Sequence, residues 1–91
     1  MIYVLRLSPQ ADKIAKKWKK SNPSAFKKLA RILAELIEHP RTGLGHPEAL
    51  KGGDAISWSR HITALDRIIY DIHDDVVEVY VLEVGGHYDD K

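Results

Sequence analysis

The sequence predicts an α+β domain in which a helical hairpin packs on one face of a small twisted sheet, in the order β-α-α-β-β-β. Two observations carry this. Apolar residues recur at three- and four-residue spacing through two stretches parted by Ser21-Asn22-Pro23, the mark of two amphipathic helices. From Ala55 onward they alternate with polar residues, the period of half-buried strands. One domain spanning residues 1–91 suits the length, which supplies a single core.

Ile2–Leu7 is a short apolar strand. Ser8-Pro9 opens a helix, with Ser8 as cap and Pro9 in the first turn, where its missing N–H costs nothing. This helix runs to about Lys20 and buries Ala11, Ile14, Ala15 and Trp18. The second starts near Pro23, buries Phe26, Leu29, Ile32, Leu33, Leu36 and Ile37, and ends near His39 before Pro40. Residues 41–54 form a loop punctuated by Gly43, Gly45, Pro47, Gly52 and Gly53. So long a loop in so small a domain points to function. Strands follow at Ala55–Ile62, Arg67–His73 and Val76–Val84, joined by Thr63-Ala64-Leu65-Asp66 and by Asp74-Asp75.

Cysteine is absent, which removes disulfides and thiolate metal sites, and His46, His61 and His73 have no metal-ligand spacing. The expectation is a protein without metal or cofactor. No apolar run approaches the roughly 20 residues of a membrane span, and Met1 leads straight into a strand, so the expected setting is cytoplasmic. The net charge is only +1, yet it is segregated. Residues 1–31 carry nine basic side chains against Asp12 alone, and residues 32–91 carry five basic and twelve acidic ones. Such asymmetry favours a polyanion or an acidic partner for the basic half, with Lys13, Lys16, Lys17 and Lys20 of the first helix as RNA contacts.

The chemistry-bearing groups gather around the hairpin Trp58–Tyr70. In its second strand Ile68, Tyr70 and Ile72 share the buried face, which leaves Arg67 on the open one. Glu48 precedes the hairpin, and His87-Tyr88 follows the last strand after Gly85-Gly86, a pair free to turn the chain back over the sheet. Cleavage of RNA by its own 2′-hydroxyl needs a base, an acid and a cation for the phosphorane. Glu48 suits the base and His87 the acid. Arg67 can grip two phosphate oxygens through its planar fork, and Tyr88 can bond the phosphate or stack on a base. Lys51 and Arg60 are further candidates for phosphate contact. Trp58 and Arg60 alternate along one strand, so one of them occupies an unusual face.

Gly45-His46-Pro47-Glu48-Ala49-Leu50-Lys51, Trp58-Ser59-Arg60-His61-Ile62, Asp66-Arg67-Ile68-Ile69-Tyr70 and Gly86-His87-Tyr88 at these separations resemble the YoeB/Txe branch of the RelE-type toxins over nearly the whole chain. The resemblance implies a toxin of a type II toxin–antitoxin pair, a ribosome-dependent mRNA endoribonuclease with Glu48, Arg67, His87 and Tyr88 as its catalytic set and Lys51 and Arg60 near the RNA. It implies a YefM-like antitoxin, the 70S ribosome and mRNA as partners, operator DNA only as the toxin–antitoxin complex, and a homodimer as a further state. Several relatives carry Arg where this chain has Gly85. Two other readings compete: a toxin of the same fold that binds a protein target such as a topoisomerase, and a non-enzymatic nucleic-acid-binding module.

Overall fold

In the computed structural model, which describes residues 2–50 and 56–86, the order is β1 (Val4–Leu7), α1 (Pro9–Ser21), α2 (Pro23–Leu36), β2 (Glu48–Ala49), β3 (Ser57–His61), β4 (Arg67–His73) and β5 (Glu78–Gly85). The sheet order is β1-β5-β4-β3-β2. β1 pairs parallel to β5, and every other neighbouring pair is antiparallel. Both helices lie on one face, and the fold is the α+β architecture expected.

Capping residues set the helix boundaries. Ser8 Oγ accepts from Ala11 N at 3.1 Å and donates to the Leu82 carbonyl at 2.6 Å, so one hydroxyl starts α1 and ties it to β5. Asn22 ends α1 by donating its N–H to Trp18 O and opens α2 by accepting from Ala25 N. α2 stops at Leu36, three residues short of the expected His39. There the backbone tightens, Glu38 N reaching Glu35 O at 3.0 Å, while the Ile37 carbonyl is taken by Tyr3 N.

Ala11, Ala25, Leu29, Ile32 and Leu36 of the helices meet Ile62, Ile68, Tyr70, Ile72, Val79, Val81 and Val84 of the sheet in one core. Trp18 and Leu33 pack at its margin. β5 reaches this core at Val79, Val81 and then Val84, a step of three where strict alternation gives two. The cause is a bulge: Ile69 pairs with Glu83 and Tyr70 with Val81, which leaves Leu82 as the extra residue. The bulge turns Glu83 to solvent and frees the Leu82 carbonyl for Ser8. The two-residue β2 was not expected. It forms because Glu48 and Ala49 pair with Ser59 and Trp58 along the outer edge of β3.

Candidate functional site

The sheet face away from the helices is built by the residues that alternate with the core. On β4 these are Arg67, Ile69, Asp71 and His73, and on β3 they are Ser57, Ser59 and His61. Cross-strand contact confirms the parity, since Ser57 Oγ donates to Asp71 Oδ1 at 2.7 Å. Glu48 is in register with Ser59, Ser59 with Ile69, and Ile69 with Glu83. One pleat further along, His61, Arg67 and Gly85 form the next row. Glu48 and Arg67 thus stand on one face, two strands and one pleat apart, which for a regular sheet separates their Cα atoms by roughly 12 Å. Both are exposed.

Arg67 has no carboxylate within ion-pair distance among the described residues. Its nearest candidates in sequence are otherwise engaged. Asp66 accepts from Thr63 Oγ1 at 2.7 Å inside the β3–β4 turn, and Asp71 accepts from Ser57. An uncommitted guanidinium on an open sheet face is suited to an anion supplied from outside.

Arg60 corrects the sequence reading. It was expected near RNA, but it is fully buried on the helix side of β3. Its Nε donates to the Tyr70 hydroxyl at 3.0 Å, and Nη1 donates to Glu35 Oε1 at 2.7 Å and Leu44 O at 3.2 Å. Nη2 donates to His39 O at 2.7 Å and Thr42 O at 2.9 Å. Tyr70 Oη in turn donates to Pro40 O, and Glu35 Oε1 also accepts from Leu44 N. These side chains therefore satisfy the backbone of the α2–β2 loop from residue 39 to residue 44, the segment that delivers Glu48 to β3. The Leu44 N–H, followed by the Arg60 guanidinium, holds the Glu35 carboxyl below the ordinary carboxylate range against some desolvation. Burial pushes the Tyr70 hydroxyl up, with Arg60 opposing it. Of Trp58 and Arg60, the arginine takes the unusual place, a charge sealed in the core behind a complete set of acceptors.

Lys51, His87 and Tyr88 lie outside the described residues, as does the expected turn of the chain beyond Gly86. Gly85 ends β5 opposite Arg67 with φ +138°, one residue past the expected Val84, and a Cβ on Gly86 would strike the Leu65 carbonyl. Both positions thus require glycine for physical reasons. Lys13, Lys16, Lys17 and Lys20 are exposed on α1, Lys16 forming a 3.0 Å pair with Asp12. They occupy the helix layer, on the opposite side of the sheet from Glu48 and Arg67. A cleft of about 380 Å³ between α1 and the end of β5 is lined in part by Gln10, Trp18, Lys17, Asp66 and Gly86. It adjoins Arg67 through Asp66 but lies beside the open face, not over it. Sequence reasoning missed His61 as a member of this face. The signal was its odd-numbered alternation with Ser57 and Ser59 across from Arg67.

This fold is that of a small bacterial toxin. Residues 8–88 match the model of the YoeB-like toxin of bacterial type II toxin–antitoxin systems, and the chain belongs to that family. Toxin YoeB of Streptomyces coelicolor is 32% identical over 71 residues, covering 78% of this chain and 82% of that protein. Toxin RelK of Mycobacterium tuberculosis is 32% identical over 71 residues, with 78% and 81% covered. Among solved structures, a YoeB/ParE toxin from Agrobacterium tumefaciens superposes with a TM-score of 0.82 at 28% identity, covering 93% of this chain and 99% of that one. The YoeB of the YoeB–YefM complex from Staphylococcus aureus gives 0.77 at 26% identity, covering 97% of this chain and 100% of that one. The membership bears out the resemblance read from the sequence motifs.

Proposed function

We propose that this protein is a ribosome-dependent mRNA endoribonuclease that blocks translation when its antitoxin is lost. The observation that carries the reading is the pairing of an exposed carboxylate, Glu48, with an exposed guanidinium free of ion pairs among the described residues, Arg67, on the open face of a YoeB-like sheet. In the reaction Glu48 takes the proton of the 2′-hydroxyl as its oxygen attacks the adjacent phosphorus. Arg67 holds two phosphate oxygens while charge builds on the phosphorane. The P–O5′ bond breaks, His87 supplies the proton to the leaving oxygen, and Tyr88 hydrogen-bonds the phosphate. The products are a 2′,3′-cyclic phosphate and a 5′-hydroxyl. Every atom and proton is accounted for by RNA and these side chains, so the step draws on no metal or cofactor. Lys51 contacts the neighbouring backbone, and Lys13, Lys16, Lys17 and Lys20 hold ribosomal RNA from the helix layer.

YoeB from Staphylococcus aureus is solved as a dimer and in complex with YefM. By analogy the partners of this chain are a YefM-like antitoxin, the 70S ribosome with its mRNA, operator DNA as the toxin–antitoxin complex, and a second copy of itself. A protein-binding toxin without nuclease activity has no need of an exposed Glu48 on one face with an Arg67 free of ion pairs among the described residues, and the endoribonuclease is the better reading.

The test is mRNA cleavage in a reconstituted translation reaction with wild type, Glu48→Gln, Arg67→Ala and His87→Ala. Each substitution should slow cleavage by on the order of 10²–10⁴, with unchanged unfolding transitions. Wild-type rates in the Arg67→Ala protein, or no cleavage by the wild type, would refute the proposal.

A further inference from the structure

His61 lies directly opposite Arg67 on the neighbouring antiparallel strand. Residues so paired have Cβ atoms about 5 Å apart and point to the same side of the sheet. On the other flank of Arg67 the register partner is Gly85, which has no side chain. Within its row, therefore, the imidazole is the one side-chain neighbour of Arg67 among the described residues. It is half-buried, and its strand is fixed where it matters: His61 N donates to Gly45 O at 2.7 Å, in the loop that leads into Glu48. An anion gripped by Arg67 comes within reach of this ring.

Among the described residues, the groups facing His61 are few. Arg67 stands across from it on β4, and Glu48 lies one pleat away on β2, opposite Ser59. His46 precedes β2, and Asp66 in the adjoining turn is bound by Thr63 Oγ1. The helices lie on the other face. Two positive groups beside each other are costly in the free protein and favourable around a phosphate. A protonated imidazole is a cation, and acidification favours it over the neutral ring.

We propose that protonated His61 is a catalytic residue that contacts the scissile phosphate beside Arg67, giving the cleavage step a cation that Arg67 alone does not supply. The inference rests on the endoribonuclease reading above. The test compares wild type, His61→Gln and His61→Arg in single-turnover mRNA cleavage on ribosomes from pH 6.2 to pH 8.5. The ratio of two rates at each pH cancels the titration of every other group. Wild type should exceed His61→Gln by on the order of tenfold at the acid end and approach it at the alkaline end. His61→Arg, charged throughout, should exceed His61→Gln by a similar factor at every pH.

A pH-independent loss in both variants would mark a structural role and overturn the proposal, as would equal rates for all three proteins. A second arm does not depend on cleavage. Isolated protein is titrated into a fluorescent 2′-O-methyl RNA fragment at the same pH values. His61→Gln should bind several-fold more weakly than wild type at pH 6.2 and equally at pH 8.5, and equal binding at both overturns the proposal. Failure of wild-type cleavage alone would count against the endoribonuclease reading, while the binding arm still decides the role of His61.

Discussion

Arg60 and Arg67 come from one hairpin, yet the pleat sends them to opposite sides of the sheet with opposite consequences. Arg60 points into the helix layer, where Glu35, Tyr70 and three carbonyls absorb its donors. Arg67 points to the open face and has no carboxylate partner among the described residues. A buried guanidinium is tolerable only while its partner is ionised. The Glu35 carboxyl is held below its ordinary value of 4.5 by Leu44 N–H and Arg60, so the native state binds fewer protons than the unfolded chain across that range. Its contribution to stability is complete above about pH 4.5 and is lost as pH falls through the depressed native value. Asp74, bound by Tyr3 and then Arg41, is lowered from 3.8 and acts in the same direction. Urea midpoints should therefore fall between pH 5 and pH 3 in the wild type. Glu35→Gln should start less stable at pH 5 and lose less on acidification. Parallel pH curves for the two proteins would show that this carboxylate does not govern acid stability.

The α2–β2 loop is the element on which the site depends, because it carries Glu48 and is stitched to β3 at both ends. Gly45 adopts φ +84°, and a Cβ there would meet the backbone carbonyl of His61 at 2.5 Å. Backbone cannot swing aside as a side chain can. Gly45→Ala should cost about 2 kcal/mol or more in urea unfolding, combining left-handed strain with the clash, and should lower cleavage further by displacing Glu48. An alanine variant of wild-type stability and rate would mean that this loop is not held as described. The helices were legible from sequence because their signals are local: Ser8-Pro9 and Asn22-Pro23 are caps, and the apolar spacing does the rest. The loop was not legible, because Glu35, Arg60 and Tyr70 are far apart in the chain and only tertiary packing brings them to its carbonyls. The bulge at Leu82 escaped for the same reason. It depends on which β4 residue faces which β5 residue, although the step from Val81 to Val84 records it. Arg60 was misread because burial of an arginine has no signature in composition, and Glu48 and Arg67 were read onto one face because alternation is a property of neighbours.

At the scale of the molecule, the parallel pairing of β1 with β5 closes the fold, joining the first strand to the last so that the helix layer lies on one side and the open face on the other. The charge asymmetry follows that division in part. The basic first third supplies exposed lysines to the helix layer, while the later, acidic part of the chain supplies the sheet that holds Glu48 and Arg67. On the proposed function, such a division assigns a large polyanion to one side and the chemistry to the other. The central claim is that the open face directs attack by the RNA's own 2′-hydroxyl, and it can be tested on the substrate without altering the protein. An mRNA carrying a single 2′-deoxy nucleotide at the mapped cleavage position is programmed into ribosomes with the wild-type protein. The account predicts that scission at that position disappears, and that the unmodified message yields a 2′,3′-cyclic phosphate and a 5′-hydroxyl. Cleavage of the deoxy-substituted message at the same position and rate would contradict it.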